Sequence, residues 1–387
     1  MFRANAAFHA DETAPATSNH IVHLVPSPDQ SDILTYHKAD VPEPSGPTMD
    51  LTATNIVIAT GAKPRPLPGN PFAGALIDST QALEVNEFPS SAVIIGAGAI
   101  ALEFASMWNA AGSKVTLLIR KDRVLSAWDR RAGTTLTREL KRHGVNIITR
   151  ASVTHVDTGA NLGATVHYTR EGQDGEQSVW GEIALVAIGR DPITDPAWGV
   201  TIDDHGHVAT DAYGRTDKPG VWAVGDVTAG HALAHRAFEQ GIVIAETIAG
   251  LNPKPVDEAT VPQIVFSFPE AASVGLTVEQ AQAREDLIEI KETNYPMLAN
   301  ARMLMSGTAG SLTIVSGCDA ANPDTPRVLG VHMVSQMASD IIAEAEQLVG
   351  NHVPLADAAR LVHPHPTFSE TLGEALLKAD GRPLHTR

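Results

Sequence analysis

Residues Val93 to Lys121 read Val-Ile-Ile-Gly-Ala-Gly-Ala-Ile-Ala-Leu-Glu-Phe-Ala-Ser-Met-Trp-Asn-Ala-Ala-Gly-Ser-Lys-Val-Thr-Leu-Leu-Ile-Arg-Lys. A short run of β-branched residues enters a tight turn at Gly96 and Gly98, and apolar side chains then recur at helical spacing until Gly112. A second apolar run follows that glycine. The pattern predicts a strand, a glycine turn, a helix and a second strand, in that order.

The glycine turn predicts a binding site for a dinucleotide. In such a unit the first glycine, Gly96, permits the turn, and the second, Gly98, lets a pyrophosphate approach the backbone. The third small position is Ala101, where the helix packs on the strand. The helix N-terminus offers free N–H groups and the positive end of its dipole to the phosphates. We therefore expect Gly96, Gly98 and Ala101 to bind a nicotinamide dinucleotide.

The end of the second strand bears on which dinucleotide binds. An NAD site usually carries an acidic residue there, which accepts a hydrogen bond from the ribose 2′-hydroxyl. This chain instead has Ile119 followed by Arg120 and Lys121. Two cations would attract a 2′-phosphate, so the sequence favours NADP over NAD. The alternative is that Arg120 and Lys121 are solvated surface charges, and NAD then remains possible.

Composition excludes several classes of partner. The 387 residues are 43% hydrophobic and 19% charged, as in a globular protein, and carry a formal net charge of -17. That charge disfavours nucleic acid and anionic membrane surfaces, which would repel the chain. No apolar run approaches the ~20 residues that span a bilayer, and the first residues lack a signal-peptide core. The expected location is the cytoplasm.

The chain has one cysteine, Cys318, so it can form no intrachain disulfide. The residues around it alternate as in a strand that runs into a turn. No histidine or basic residue stands beside it to lower the pKa of the thiol. Cys318 is therefore expected to be an inert structural thiol.

Further strand and helix signals lie on both sides of the glycine turn. The first 50 residues favour a small β-meander, with strand-like pieces near Ile21–Val25 and Ile33–Tyr36. Buried parallel strands are predicted before Thr60-Gly61, before Gly189 and before Asp226, and a helix follows the last of them. From Val261 onward, strand-like pieces alternate with amphipathic helices, which predicts an α+β domain.

Four stretches together resemble the flavin-dependent pyridine nucleotide-disulfide oxidoreductases, and within that superfamily the chain is most similar to the dihydrolipoamide dehydrogenase family. The similarity runs from about residue 50 to residue 380. The stretches are Ala59-Thr60-Gly61, the Gly96 turn, Ala223-Val224-Gly225-Asp226 with Leu233-Ala234-His235-Arg236, and His363-Pro-His365-Pro-Thr-Phe-Ser-Glu370.

The resemblance implies an α/β fold with two Rossmann-like nucleotide-binding domains, the first incomplete, and a C-terminal α+β dimerisation domain. It implies FAD and a nicotinamide nucleotide as cofactors, a homodimer, and a dithiol or disulfide substrate that includes a lipoyl group. The expected domains are a remnant of the FAD-binding domain (1–88), the NAD(P)-binding domain (89–189), the FAD-binding domain continued (190–258) and the dimerisation domain (259–387).

By the same resemblance, residues of this chain take roles in cofactor binding. Asp226 matches the aspartate that binds the flavin ribityl chain, and Leu233, Ala234 and His235 match the segment beneath the flavin. Glu103 matches the glutamate near the nicotinamide and the flavin. Cofactor binding is also assigned to Thr60, Gly61 and Gly189.

His365 matches the general base that acts on the dithiol, with Glu370 as the group that orients it. The chemistry is reasonable without the resemblance, because dithiol oxidation needs a base that titrates near pH 7 to accept a thiol proton. The alternative is that Thr367-Phe-Ser-Glu370 is a capping box, in which Glu370 serves the backbone of the final helix. No metal site is predicted, because His363 and His365 have no third ligand at suitable spacing.

Two signatures of the resembled family have no counterpart in these residues. They are a first Gly-x-Gly-x-x-Gly for the FAD pyrophosphate and a pair of cysteines four residues apart. The expectation is an incomplete FAD site and no activity on dithiols for the chain as given. One hypothesis is a fragment of a dihydrolipoamide dehydrogenase-like enzyme, and the other is a truncated homologue that binds nucleotides or forms dimers. A glutathione reductase-like or quinone-reducing NADPH enzyme also remains open.

Overall fold

The structure is a computed structural model that describes residues 4–8, 20–26, 49–159 and 163–386. The strands of these residues are β1 Ala4–Phe8, β2 His20–Pro26, β3 Met49–Ala53, β4 Ile56–Ile58, β5 Ala62–Pro64, β6 Leu76–Ile77, β7 Ser91–Ile95, β8 Lys114–Leu118, β9 Asn146–Ile148, β10 Ala151–Asp157, β11 Ala164–Arg170, β12 Gln177–Gly181, β13 Ile183–Val186, β14 Arg190–Pro192, β15 Val221–Ala223, β16 Gln263–Val265, β17 Glu270–Gly275, β18 Leu287–Pro296, β19 Ser311–Asp319 and β20 Asn322–Ser335. The α-helices are α1 Ser79–Leu83, α2 Ala99–Ala110, α3 Arg130–Arg142, α4 Ala234–Ile248, α5 Val278–Gln282, α6 Ala301–Ser306, α7 Ala338–Gly350, α8 Leu355–Ala358 and α9 Glu370–Ala379.

The chain forms two compact units, each made of two segments. The first combines Met1–Lys63 with Asp191–Glu258, and the second combines Pro64–Arg190 with Ala259–Arg387. Among the described residues, no helix combines the length and the apolar character that crossing a bilayer requires.

The first unit contains an antiparallel sheet and a parallel strand pair. The antiparallel sheet has the order β1-β2-β3, so the predicted strand near Ile21–Val25 is confirmed, whereas the one near Ile33–Tyr36 lies outside the described residues. In the parallel pair, β4 lies beside β15, and the Trp222 indole donates a hydrogen bond to the Asn55 side chain at 2.9 Å. Because parallel strands end at the same edge, residues 59–61 and 224–227 leave this pair on one side.

The second unit contains a five-stranded parallel sheet with the order β6-β13-β7-β8-β9. Its central strands are buried on both faces and read as continuous apolar runs, as parallel strands do. Helix α2 covers one face, and the antiparallel meander β10-β11-β12 packs on the other. The predicted order of strand, glycine turn, helix and strand is confirmed, with α2 followed by Gly112 at φ +96°.

One segment lies elsewhere than the sequence predicted. Residues 64–88 were assigned to the FAD-binding remnant, but β6 within them pairs in parallel with β13 of the five-stranded sheet. A strand of two residues, Leu76 and Ile77, has no periodicity of its own, so only the distant pairing determines its sheet. The other domain boundaries stay predictions.

The C-terminal part of the second unit is an antiparallel sheet with the order β16-β17-β20-β19-β18 and helices packed against it. Helices α7 and α9 bury an apolar stripe in the same core as the inner faces of β19 and β20. The predicted fold class, an α/β nucleotide-binding chain that ends in an α+β domain, is confirmed.

Candidate functional site

The glycine turn after β7 has a backbone that only glycine fits. Gly96 has φ +142°, and a Cβ added there would lie 2.1 Å from the carbonyl oxygen of Ala187. That carbonyl cannot retreat freely, because the N–H of Ala187 donates to the Ile95 carbonyl at 2.8 Å. The close approach at Gly96 therefore fixes the path of the chain from β7 into α2.

Helix α2 begins with unused hydrogen-bond donors, which suits a pyrophosphate. Its N-cap is Gly98, which provides no side-chain cap, and the first turn carries no acidic residue. A Cβ added at Gly98 would meet nothing within 4 Å, so the space in front of the helix is open. Ala101 is fully buried, 3.5 Å from the added Cβ at Gly96, and allows the helix to pack closely on β7. These residues fit the diphosphate of a nicotinamide dinucleotide.

Two cations stand at the end of β8, the neighbour of β7. Their backbone is fixed, since the N–H of Arg150 donates to the carbonyl of Lys121 at 3.0 Å. The side chains of Arg120 and Lys121 are exposed, and no described residue forms an ion pair or a hydrogen bond with either. Both cations are thus available to an external anion.

Two further predicted residues lie around this sheet. Gly189 follows β13 with φ +128°, and its carbonyl accepts a hydrogen bond from the N–H of Arg65 at 3.0 Å. Glu103 is half-buried on α2, where its carboxylate accepts a hydrogen bond from the N–H of Phe266 at 3.0 Å. That contact ties α2 to the segment after β16, and the sequence did not reveal it.

In the first unit, the predicted residues gather where β4 and β15 end. The hydroxyl of Thr60 donates to the carbonyl of Ile193 at 2.6 Å, and Gly61 takes φ +70°. Asp226 lies in one turn of 3-10 helix, Gly225–Val227, directly after β15.

Helix α4 begins close to that turn. Leu233 is its N-cap and gives no side-chain cap, and Ala234 and His235 form its first turn. The side chain of Gln240, one turn further on, accepts a hydrogen bond from the N–H of Gly225 at 3.0 Å. A carboxylate and an uncapped helix N-terminus thus stand on adjacent segments, which fits the hydroxyls and polar ring atoms of a flavin.

Arg236 fixes the loop between Asp226 and α4 from inside the unit. Its side chain is 3% exposed and bonds through Nε to the Glu258 carboxylate at 2.5 Å. A second guanidinium nitrogen donates to the carbonyl of Ala229. The partner Glu258 was not predicted, because no local pattern links two residues so distant in sequence.

The predicted base and carboxylate are brought together in the C-terminal part of the second unit. His365 Nδ1 lies 2.8 Å from Glu370 Oε2, with the imidazole side chain 71% exposed and the carboxylate 13% exposed. The other oxygen of Glu370 accepts a hydrogen bond from the Asn300 amide at 2.9 Å. Asn300, which the sequence did not point to, therefore holds the carboxylate on the side away from the histidine.

The capping alternative accounts for only part of this geometry. The hydroxyl of Thr367 accepts a hydrogen bond from the N–H of Glu370 at 3.3 Å, but the N-cap of α9 is Ser369, which makes no side-chain cap hydrogen bond. The Glu370 carboxylate itself forms hydrogen bonds with the side chains of His365 and Asn300. Glu370 therefore combines a position at the start of α9 with a contact to the exposed imidazole.

His363 has a different environment from His365. Its Nε2 lies 2.9 Å from the Glu344 carboxylate, and the side chain is 9% exposed. The hydrogen bond to Glu344 raises the pKa of His363 above its usual value. The pair is an internal ion pair between the segment before α9 and helix α7.

Cys318 is fully buried on β19, and burial raises the pKa of its thiol. A buried thiol with a raised pKa is a poor nucleophile. Its geometry fits the expected structural role.

A nucleotide turn on a parallel sheet and an exposed histidine with a fixed carboxylate define an α/β oxidoreductase that uses a nucleotide cofactor. Models of two families match the chain: pyridine nucleotide-disulphide oxidoreductase over residues 19–241, and the dimerisation domain of the same enzymes over residues 261–376. The chain belongs to the pyridine nucleotide-disulphide oxidoreductase family. Its members depend on FAD and bind NAD(P), and the dimerisation domain indicates a homodimer.

Similarity to individual relatives indicates which members of this family the chain resembles. The chain is 38% identical over 341 residues to a dihydrolipoyl dehydrogenase of Cupriavidus necator and 36% identical over 341 residues to one of Bacillus subtilis. In both cases 87% of this chain matches and 70% of the relative is covered. The chain is therefore dihydrolipoyl dehydrogenase-like.

Solved structures agree with that similarity. LpdA from Mycobacterium tuberculosis superposes with a TM-score of 0.81 at 25% identity, over 97% of this chain and 76% of that one. The HOCl-induced flavoprotein disulfide reductase RclA from Escherichia coli gives a TM-score of 0.74 at 26% identity, over 85% of this chain and 74% of that one.

Proposed function

We propose that this protein carries the base and the cofactor-binding residues of a flavin-dependent NAD(P)-disulfide oxidoreductase, with a lipoyl group as the favoured substrate, and that it acts on a dithiol only together with a redox cysteine pair that residues 1–387 do not contain. His365 is the general base and Glu370 the residue that positions it. The observation that carries the proposal is the 2.8 Å contact between His365 Nδ1 and a carboxylate that Asn300 holds from its other side.

The geometry gives each nitrogen of His365 a separate task. The Glu370 carboxylate accepts a hydrogen bond from the N–H at Nδ1, which leaves the lone pair of Nε2 available on an imidazole that is 71% exposed. Nε2 can then accept a thiol proton, and the nearby carboxylate stabilises the imidazolium that forms. FAD, when bound, would accept the electron pair and pass it to the nicotinamide. Asp226 and residues 233–235 would hold the flavin.

For the nicotinamide nucleotide, we propose a preference for NADP. Support comes from the exposed cations Arg120 and Lys121, which have no partner among the described residues. Replacing both by glutamine should remove most of the difference between NADPH and NADH affinity, about 1 to 3 kcal/mol for lost charge-assisted hydrogen bonds. Lys141→Gln, on the exposed side of α3, is the matched control and should leave the ratio unchanged. Equal affinities for NADPH and NADH in the unchanged protein would refute the preference.

We propose further that residues 1–387 by themselves do not turn over lipoamide and hold FAD weakly. Dithiol-disulfide exchange needs two sulfurs that can close on each other, and these residues contain Cys318 alone. The second candidate function, a nucleotide-binding or dimer-forming protein, is favoured by the complete glycine turn at Gly96 and Gly98. An enzyme that uses another disulfide or a quinone is the remaining alternative.

The test begins with purified residues 1–387. After gel filtration we expect a colourless protein with no NADH- or NADPH-linked lipoamide reduction. Fusion of a family N-terminal segment with the cysteine pair before Met1 should restore flavin absorption and turnover. Stoichiometric flavin and lipoamide turnover in the unfused chain would contradict the proposal that residues 1–387 by themselves are inactive on lipoamide. Failure of the fusion to gain either property would favour the second candidate function.

The role of His365 is tested in the same fused protein. His365→Gln should lower kcat by about 10² to 10⁴, the range typical of a lost general base. Glu370→Gln should lower kcat less than His365→Gln does, because the imidazole keeps its place but loses the carboxylate that orients it. His205→Gln, an exposed histidine of a loop in the first unit, is the control. Unchanged kcat in His365→Gln would overturn the assignment.

We also propose a homodimer built through residues 261–387 and a location in the cytoplasm. The match of residues 261–376 to the dimerisation domain supports the first. The net charge of -17 and the single cysteine support the second.

A further inference from the structure

Two histidines of the antiparallel meander β10-β11-β12 stack on each other, and neither has a role in the function proposed above. His155 on β10 and His167 on β11 are direct partners in the antiparallel register. Their rings are 4.1 Å apart between centroids, at an interplanar angle of 8°. The stack places the ring nitrogens of the two residues side by side.

Each edge of the stacked pair faces a carboxylate. On one edge, Asp157 Oδ2 lies 3.1 Å from His167 Nε2 and 4.0 Å from His155 Nε2. On the other edge, the two Glu176 oxygens lie 3.7 Å from His155 Nδ1 and 3.6 Å from His167 Nδ1. Both Nε2 atoms therefore point toward one carboxylate and both Nδ1 atoms toward the other.

The edge formed by the two Nε2 atoms and Asp157 has the spacing of a metal site. One ligand atom from each of His155, Asp157 and His167 lies within 4.8 Å of the other two. A tetrahedral ion bonded at about 2.0 to 2.1 Å separates its donors by roughly 3.3 Å. Because the rings are parallel, their in-plane lone pairs converge on one ion only when His155 rotates out of the stack. His155 and Asp157 are both exposed, which leaves room for that rotation.

Glu176 is placed to orient the ligands from outside. A histidine that binds a metal through one nitrogen typically donates its other N–H to a carboxylate, which fixes the tautomer. The Glu176 oxygens face both Nδ1 atoms, and the Thr154 hydroxyl donates to Glu176 at 2.6 Å. The carboxylate is thus itself held in place.

We propose that His155, His167 and Asp157 bind a divalent first-row transition-metal ion such as Zn²⁺, with Glu176 as the residue that positions both imidazoles. Imidazole nitrogens select zinc, copper or nickel over magnesium and calcium, which prefer oxygen ligands. Two carboxylates beside two neutral imidazoles match the charge of a divalent ion. Water fills the remaining coordination positions of this exposed site, and the ion joins β10 to β11.

The proposal departs from the sequence prediction of no metal site. The residues are separated in sequence, and a register shift in β10 between Val153 and His155 brings His155 opposite His167. Spacing along the chain therefore gave no signal.

The test is isothermal titration of the untagged full chain with Zn²⁺, and with Mg²⁺ as a second probe. We expect one Zn²⁺ per chain and no Mg²⁺ binding. The double variant His155→Gln/His167→Gln should weaken Zn²⁺ binding at least about 100-fold, and Asp157→Asn at least about tenfold. Glu176→Gln should weaken it about 10- to 100-fold, as loss of an outer partner does. His205→Gln is the matched control and should bind as the unchanged protein does.

A second measurement separates the site from a general loss of structure. Cu²⁺ is bound more strongly than Zn²⁺ by the same donors, so its electron paramagnetic resonance spectrum should show two coupled nitrogens in the unchanged chain and none from this site in the double variant. Circular dichroism of the metal-free variants should match the unchanged protein, since Asp157 and His155 are exposed. Zn²⁺ affinity equal in the unchanged protein and the double variant, or Zn²⁺ affinity lost in His205→Gln instead, would overturn the proposal.

Discussion

The clearest test of the glycine turn is the substitution Gly96→Ala. The added Cβ would lie 2.1 Å from the Ala187 carbonyl oxygen and 2.8 Å from its carbon, on a backbone with φ +142°. The strained φ costs about 1 to 3 kcal/mol, and disturbing the hydrogen bond of Ala187 to Ile95 adds about 1 kcal/mol or more. We expect the free energy of unfolding in urea to fall by about 2 to 4 kcal/mol. NADPH should no longer raise the unfolding temperature.

Gly98→Ala is the matched variant two residues later. Its φ is -90°, which alanine adopts, and nothing lies within 4 Å of the added Cβ. Its free energy of unfolding should stay within about 1 kcal/mol of the unchanged protein. The methyl group occupies the space that a pyrophosphate needs, so NADPH affinity should drop at least tenfold, or about 1.4 kcal/mol. A stable Gly96→Ala variant, or a Gly98→Ala variant with full NADPH affinity, would refute this description of the turn.

Three further results are expected. Glu344 raises the pKa of His363, so the pKa in the folded protein lies above the unfolded value of ~6.5. The ion pair therefore stabilises the folded protein fully below pH ~6.5, and this stabilisation is lost as the pH rises through the folded pKa. The loss of unfolding free energy caused by Glu344→Gln, measured by urea unfolding, should be about 1 to 2 kcal/mol at pH 6 and smaller at pH 8.5. A loss that is the same at both pH values would exclude a stabilising His363–Glu344 ion pair. Cys318 should not react with a thiol reagent in the folded chain and should react fully in urea, whereas rapid labelling of folded protein would show that β19 opens. In sedimentation at micromolar concentration, the full chain and residues 261–387 alone should both be dimers. A monomeric full chain would count against dimerisation through residues 261–387.

The sequence predicted the elements in which local chemistry and fold agree. The run before Gly96 is β-branched, and the helix after it buries Ala101, Phe104 and Trp108 at helical spacing. Both signals come from residues within one turn or one strand of each other. The same holds for α4, the helix predicted after the strand before Asp226, which extends from Ala234 to Ile248.

Features that depend on distant partners could not be predicted in this way. The His365–Glu370 pair was expected from the resemblance to the family, but Asn300, 70 residues before Glu370, was not. The stacked pair of His155 and His167 depends on strand register, and the register shift between Val153 and His155 leaves no signal in a single sequence. Long-range geometry thus decides how the predicted carboxylate is held and where the stacked histidines meet.

The pairing of β4 with β15 has a consequence for the synthesis of the chain. Asn55 and Trp222, which share a hydrogen bond beside this pair, are 167 residues apart. At a ribosomal rate of about 5 to 20 residues per second, Asn55 is made roughly 8 to 33 s before its partner. During that interval the parallel sheet with the Gly96 turn is synthesised in full, so it can fold first. Strand β4 therefore stays without its parallel partner through the whole interval, and the first unit completes its fold only after β15 has been made.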